Sequence, residues 1–220
     1  MVVHHLFDTH DGDGEELLFA RIAQAIEGDG YCVIPAGMPS DMVLPLAVQA
    51  WQRMDEFAAA KVGRGQDVTK NSFVRRDKIA WIDGETAAEK VWMAWAERLR
   101  IYLNRRLMLG LFSYESHFAH YECGDFYRKH YDAFRGEANR VLSTVLYLNS
   151  GWAPDDGGEL EIFDADDRSL VKVTPLLGTL VVFLSEEFPH EVLPAQRDRF
   201  SIAGWFRLNQ SMAGRVDPQR

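Results

Sequence analysis

The chain predicts an α+β fold: a double-stranded β-helix, or jelly-roll barrel, of about eight strands, supported by N-terminal helices. Three observations lead there. Apolar residues recur at helical spacing through most of the first 109 positions. After Gly110 the period drops to two, in short segments rich in β-branched and aromatic residues. Turn signals such as Cys-Gly-Asp, Arg-Gly-Glu and Pro-Asp-Asp-Gly-Gly separate those segments. Short strands following a helical block suit a closed sheet pair backed by helices on one face.

In order along the chain, residues 15–27 place Leu17, Leu18, Ile22, Ala25 and Ile26 on one helical face, and Gly28 and Gly30 end it. Residues 31–35 read as a strand. Ser40 and Asp41 can cap a second helix running to about residue 60 and interrupted near Pro45. Residues 61–84 break the pattern and read as a mobile loop or hairpin. A third helix, about 86–109, carries Val91, Trp92, Trp95, Leu99, Tyr102, Leu103 and Leu107. Strands follow near 113–123, 125–136, 140–148, 158–164, 169–174, 178–184, 188–193 and 199–207. The expected organisation is a single structural domain, with residues 1–112 packed on a core at 113–210.

Composition narrows the class. The 220 residues are 47% hydrophobic and 26% charged, ordinary for a globular protein large enough to bury a core without disulfides. A formal charge of -9 argues against sequence-independent nucleic-acid binding. No apolar run reaches the roughly 18 residues of a membrane span, and the N-terminus lacks a secretory pattern. With two cysteines, a reducing cytoplasm and a monomer are the expectation. The loop at 61–78 reverses the overall sign, with Lys61, Arg64, Lys70, Arg75, Arg76 and Lys78 against Asp67 and Asp77.

The chemistry lies in His130-Tyr131-Asp132. On a strand, positions i and i+2 share a face, so an imidazole and a carboxylate would stand side by side inside the barrel. A bare carboxylate there is costly, and a divalent cation removes the cost. His190, on a late strand, supplies a third ligand. Two histidines and one carboxylate leave about three octahedral positions open, as an oxygenase requires for a chelating cosubstrate and dioxygen. Arg199 begins the next strand, close to the metal but deeper, where its guanidinium can grip a carboxylate in bidentate fashion.

The segments Tyr121 to Asp132, Arg140 to Asn149, Gly157 to Leu160, Pro189-His190 and Arg199 to Trp205 resemble the prolyl-hydroxylase branch of the iron/2-oxoglutarate dioxygenases. The likeness is to the hypoxia-sensing enzymes of animals and their bacterial relatives. Arg75 to Gly84 resembles the mobile substrate-covering loop of that branch. The resemblance implies that His130, Asp132 and His190 bind iron(II), with 2-oxoglutarate and dioxygen as cosubstrates. Arg199 would hold the far carboxylate of 2-oxoglutarate, Tyr147 and Tyr121 would reach the same ligand, and Trp205 would pack beside the triad. Tyr127, Arg140, Arg75, Asp77 and Trp81 would lie on the substrate side. Ala203 stands where the animal enzymes carry a hydroxyl residue, and Ser201 is placed to compensate.

The function so implied is hydroxylation of a prolyl residue in a protein, by resemblance to the bacterial relatives a translation elongation factor, with succinate and CO2 as co-products. Two other readings stay open. One is the same chemistry on a free amino acid or small metabolite. The other is a non-catalytic metal-binding barrel, or a zinc enzyme; Arg199 and Tyr147 speak against zinc hydrolysis alone.

Overall fold

A computed structural model describes residues 11–60, 73–133 and 139–209. Among them are three helices, α1 (Asp11–Gly28), α2 (Ser40–Gln52) and α3 (Ala87–Leu107). Eleven strands follow the order β1 (Tyr31–Ile34), β2 (Ala58–Ala59), β3 (Lys78–Trp81), β4 (Ser113–Tyr121), β5 (Tyr127–His130), β6 (Arg140–Tyr147), β7 (Leu160–Phe163), β8 (Ser169–Val173), β9 (Leu180–Leu184), β10 (His190–Val192) and β11 (Arg199–Arg207). They form a seven-stranded sheet, β1-β9-β6-β11-β4-β3-β2, and a four-stranded sheet, β5-β10-β7-β8. The eight strands after residue 112 divide equally between the sheets, which is the double-stranded β-helix. The other three join the larger sheet, β1 against β9, β3 against β4, and β2 against β3.

The register of the larger sheet sorts residues by parity. Arg199 pairs with Tyr121 and Ser201 with both Ala119 and Tyr147, so odd-numbered residues of β4, β6 and β11 share one face. That face lines the barrel: His117, Ala119, Tyr121, Val145, Arg199, Ser201, Ala203 and Trp205 all border one cavity. Even-numbered Phe118, Leu142, Leu146, Ile202 and Phe206 face the helices instead and join their core. There α3 buries Trp92, Trp95, Leu99 and Leu103, each large enough to contribute roughly 1.5–3 kcal/mol when withdrawn from water.

The helices differ from the periodic reading in instructive places. In α1, Leu17 faces solvent, and the buried row is Phe19, Ile22, Ala23 and Ile26. Phe19 turns the helix because its ring meets those of Trp95 and Tyr102, with centroids 5.9 and 5.7 Å away. Ser40 and Asp41 do not cap α2. Pro39 occupies that position without a side-chain cap bond, and Pro45 lies inside the helix without interrupting it. The helix stops at Gln52, not near 60, because the chain must turn through a 3-10 segment to pair Ala58 with Ile79. In α3, Val91 is exposed, and the helix ends at Leu107 with Met108 in the left-handed region.

Buried Glu89 ties α3 to α2. Its carboxylate accepts from the amides of Gly84 (3.1 Å) and Glu85 (3.0 Å), and from the side chains of Gln49 and Arg53. Thr86 caps the same turn by accepting from the Glu89 amide at 3.2 Å.

The segment expected as a loop or hairpin at 61–84 contains β3, which pairs antiparallel with β2 at residues 58–59 just ahead of it. Lys61, Gly63, Arg64, Gly65, Asp67 and Lys70 lie outside the described residues, as do residues 134–138. No described helix is long and apolar enough to cross a membrane. Cys32 is buried, Cys123 is exposed, and both are free thiols.

Candidate active site

His130 and His190 come from the smaller sheet, where they are direct partners across the β5–β10 ladder. Strand β5 ends at His130, so the expected strand over 125–136 is only four residues long, and Asp132 lies in the bend beyond it. Asp132 therefore does not owe its position to a shared strand face. The bend brings its Oδ1 to 3.7 Å from His130 Nε2 and its Oδ2 to 3.6 Å from His190 Nε2. One donor atom from each residue lies within 4.8 Å of the other two.

Both imidazoles are oriented by the backbone. Nδ1 of His130 lies 2.7 Å from the Arg128 carbonyl, and Nδ1 of His190 lies 3.1 Å from the Phe188 carbonyl. A carbonyl only accepts, so each Nδ1 carries the proton and each Nε2 presents its lone pair to the centre. Burial pushes His190 down to about 4, and the neighbouring His130 adds to this, which keeps it neutral. Burial would raise the Asp132 carboxyl, but His190 and His130 hold it well below the usual carboxylate range. Two imidazoles converging on one carboxylate suit a divalent first-row metal.

A column of side chains supports His130. Tyr127 stacks on its ring at 3.5 Å and 16°. Arg75 also lies over the Tyr127 ring, 4.3 Å from its centre. Asp77, 1% exposed, clamps Arg75 through two hydrogen bonds, one of 2.7 Å from Nε. Asp77 thus sits behind Arg75, outside the cavity wall.

Arg199 is 1% exposed. Its Nε donates to the Gly158 carbonyl at 2.8 Å and its Nη1 reaches Ser201 Oγ at 3.4 Å. The guanidinium rests 4.9 Å from the Tyr121 ring and 5.1 Å from the Tyr147 ring. Among the described residues no carboxylate forms an ion pair with it, and a buried cation without a counter-ion is expensive. The Tyr147 hydroxyl beside it is fully buried and meets no acceptor among the described residues; burial pushes it up to about 12, against the lowering influence of Arg199. A buried cation and an orphaned hydroxyl donor at one end of a cavity fit a carboxylate ligand.

The Gly157-Gly158 pair lets the backbone come this close. A side chain at Gly158 would put its Cβ 2.9 Å from Ala195 Cβ and 3.1 Å from Arg199 Cδ, at a φ of +71°. At Gly157 the Cβ would meet the Pro194 carbonyl oxygen at 2.6 Å.

These groups border a cavity of about 630 Å³. Of the candidate site residues named from the sequence, all line it except Asp77 and the buried Tyr147, whose ring centre lies 5.1 Å from the Arg199 guanidinium. The open side carries Trp205 with Arg140 over its ring at 3.6 Å, and Arg140 pairs with Glu115 at 2.8 Å. The Trp205 indole N–H is buried and has no partner among the described residues. His117 completes this wall between Trp81 and Trp205, with ring centroids 5.3 and 5.4 Å away. Sequence reasoning passed over His117 and Glu115. Counting back from Tyr121 in steps of two along β4 would have found both.

The family model for the 2OG-Fe(II) oxygenase superfamily matches residues 116–207. Among curated proteins, Egl nine homolog 1 of Homo sapiens is 27% identical over 202 residues, 87% of this chain and 47% of that protein. The chain spans about half the length of the curated relatives it matches first. Among solved structures, a Pseudomonas putida prolyl-4-hydroxylase is 41% identical with a TM-score of 0.79, covering 86% of this chain and 99% of that one. A Trichoplax adhaerens prolyl hydroxylase, solved with a hypoxia inducible factor oxygen degradation domain peptide fragment, is 26% identical with a TM-score of 0.79, covering 92% and 94%.

Proposed function

This chain belongs to the 2OG-Fe(II) oxygenase superfamily and, within it, to the prolyl hydroxylases; on that premise we propose that it hydroxylates a prolyl residue in a protein substrate. His130, Asp132 and His190 would hold iron(II) through Nε2, a carboxylate oxygen and Nε2. With 2-oxoglutarate and dioxygen, that centre would supply oxidation: one oxygen atom of O2 would enter succinate as the oxo acid loses CO2, and the other would be inserted into a prolyl C–H bond.

The protein's share is positioning and exclusion of water. Arg199 gives the far carboxylate of 2-oxoglutarate a counter-charge, and the Tyr147 hydroxyl donates to the same group. Ser201 helps to hold the guanidinium, and Tyr121 forms a second wall against it. Tyr127 keeps the His130 ring from rotating, with Arg75 and Asp77 behind it. On the substrate side Trp81, Trp205 and Arg140 offer flat apolar and cationic surface, suited to a pyrrolidine ring and its flanking carbonyls.

One observation carries this reading. The lone buried guanidinium of Arg199, beside the orphaned Tyr147 hydroxyl, opens onto the same cavity as the His130/Asp132/His190 set. Zinc hydrolysis as such requires no 2-oxo acid pocket, so the pairing of this seat with the triad favours the oxygenase reading. The test is incubation of the purified protein with iron(II), 2-oxoglutarate and a host lysate, with mass spectrometry for a one-oxygen gain on proline. A translation elongation factor is the first candidate to inspect. Hydroxylation confined to free proline, with none on protein, would move the function to the small-molecule reading.

A further inference from the structure

Asp132 is the one member of the triad that no β-ladder holds. His130 and His190 are fixed by strand pairing and by their Nδ1 bonds, whereas Asp132 lies past the end of β5. Its carboxylate nonetheless has a partner from the opposite sheet. Ser143 Oγ, on β6, donates to Asp132 Oδ2 at 2.6 Å. Ser185 Oγ, just after β9, lies 2.9 Å from Ser143 Oγ. Both serines are essentially sealed from solvent, at 1% and 0% exposure.

The direction of this chain follows from counting protons. An ionised carboxylate can only accept, so the single Ser143 proton points at Asp132. Ser143 then has no proton left for Ser185, and Ser185 must donate to Ser143. The backbone anchors the far end, because the Ser185 amide donates to the Val141 carbonyl at 2.9 Å. The order Ser185 to Ser143 to Asp132 therefore runs from the rigid sheet to a carboxylate in a bend.

We propose that Ser143, backed by Ser185, is a positioning residue for the metal. It fixes the plane of the Asp132 carboxylate between the two imidazoles before iron arrives. The inference rests on the proposed metal role of the triad, and it concerns affinity for the ion, not the identity of the substrate. Groups that orient metal ligands from behind typically change metal affinity by roughly 10- to 100-fold when removed. Serine at 143 reads in the sequence as ordinary strand filler, yet its odd number places it on the barrel face.

The experiment is a titration of the apo-protein with manganese(II), read by the electron paramagnetic resonance of the free ion, without 2-oxoglutarate. Thermal unfolding of each metal-free variant is measured alongside it. Ser143→Ala should weaken manganese(II) binding on the order of 10- to 100-fold. Ser185→Ala should weaken it by less, because Ser143 can still turn its proton to Asp132. Ser143→Thr keeps the hydroxyl and should bind close to wild type. Wild-type affinity in Ser143→Ala overturns the proposal. So does a Ser143→Thr protein that folds normally yet binds as poorly as Ser143→Ala, since the hydroxyl would then be irrelevant. If the wild type itself ignores manganese(II), the triad assignment and this inference fall together. If it binds the ion but hydroxylates no prolyl residue, only the substrate reading fails.

Discussion

His130 and His190 are register partners on adjacent strands of the smaller sheet, and their ring centres lie 4.3 Å apart. Two imidazoles at that spacing, both with Nε2 turned the same way, are held by the strand pairing itself. Removing either ring should leave the ladder, which is made by backbone groups.

His130→Ala and His190→Ala are accordingly expected to fold and to lose tight metal binding. Two ligands retain a divalent ion poorly, so manganese(II) or cobalt(II) affinity should fall by orders of magnitude, and 2-oxoglutarate turnover with it. Ion titration together with circular dichroism checks this. Retained turnover in either variant would remove the triad assignment.

Arg199→Ala deletes a charge-assisted contact of roughly 1.5–3 kcal/mol, equivalent to a 10- to 150-fold loss in 2-oxoglutarate affinity. Metal binding should be unaffected. Arg199→Lys should recover only part, because an ammonium cannot keep the Gly158 carbonyl and grip a carboxylate with a planar fork. Direct binding of 2-oxoglutarate to the manganese(II)-loaded protein is the measurement. Unchanged affinity in Arg199→Ala would mean that another group anchors the acid.

Gly158→Ala should mimic Arg199→Ala in part without touching the charge. The added methyl group must displace Ala195 or the Arg199 stem, at a φ that costs an alanine about 1–2 kcal/mol. Weaker 2-oxoglutarate binding with normal manganese(II) binding, and a lower unfolding temperature, are expected. A variant with wild-type 2-oxoglutarate affinity would show that the seat tolerates a shifted guanidinium.

His117 makes a pH-dependent contribution to stability. Burial lowers it to about 4, helped by the charge of Arg75 and, less, of Arg140, and opposed by Asp77. In the unfolded chain a histidine titrates near 6.5. Above that pH both states are neutral and nothing is lost. As pH falls from 6.5 toward 4, only the unfolded chain takes up the proton, so stability drops by roughly 1.4 kcal/mol per unit, levelling off below 4. Urea unfolding of wild type and His117→Gln across this range should show a shallower decline in the variant. Parallel declines would refute the assignment.

Period two makes legible which residues of the larger sheet share the barrel face, whereas the roles of Tyr121, Tyr147 and Trp205 came from the family resemblance and not from spacing. Arg199, Ser201, Ala203 and Trp205 share a face for the same reason that Tyr121 and Tyr147 do. What periodicity cannot register is where a strand stops. His130 and Asp132 look like strand neighbours by spacing, yet a bend separates them and a serine from another sheet holds the second. The early end of α2 was hidden similarly, since residues 53–57 carry no helix breaker and only the pairing with β3 draws them away. Glu89 reads as a solvated charge, and its burial depends on Gln49 and Arg53, some forty positions earlier. Tertiary partners of this kind leave no local pattern.

The three N-terminal strands also govern how the protein can be divided. Strand β1 covers one side of β9, and β3 with β2 covers one side of β4. A fragment starting at residue 113 would retain all three proposed metal ligands and the Arg199 seat. It would also expose two rows of unpaired backbone amides and carbonyls, flanking an apolar sheet face stripped of Trp92, Trp95 and Leu99. Such edges recruit strands from other molecules. The catalytic motif is therefore not an excisable cassette, and a truncated version made for expression should precipitate unless it begins ahead of Tyr31.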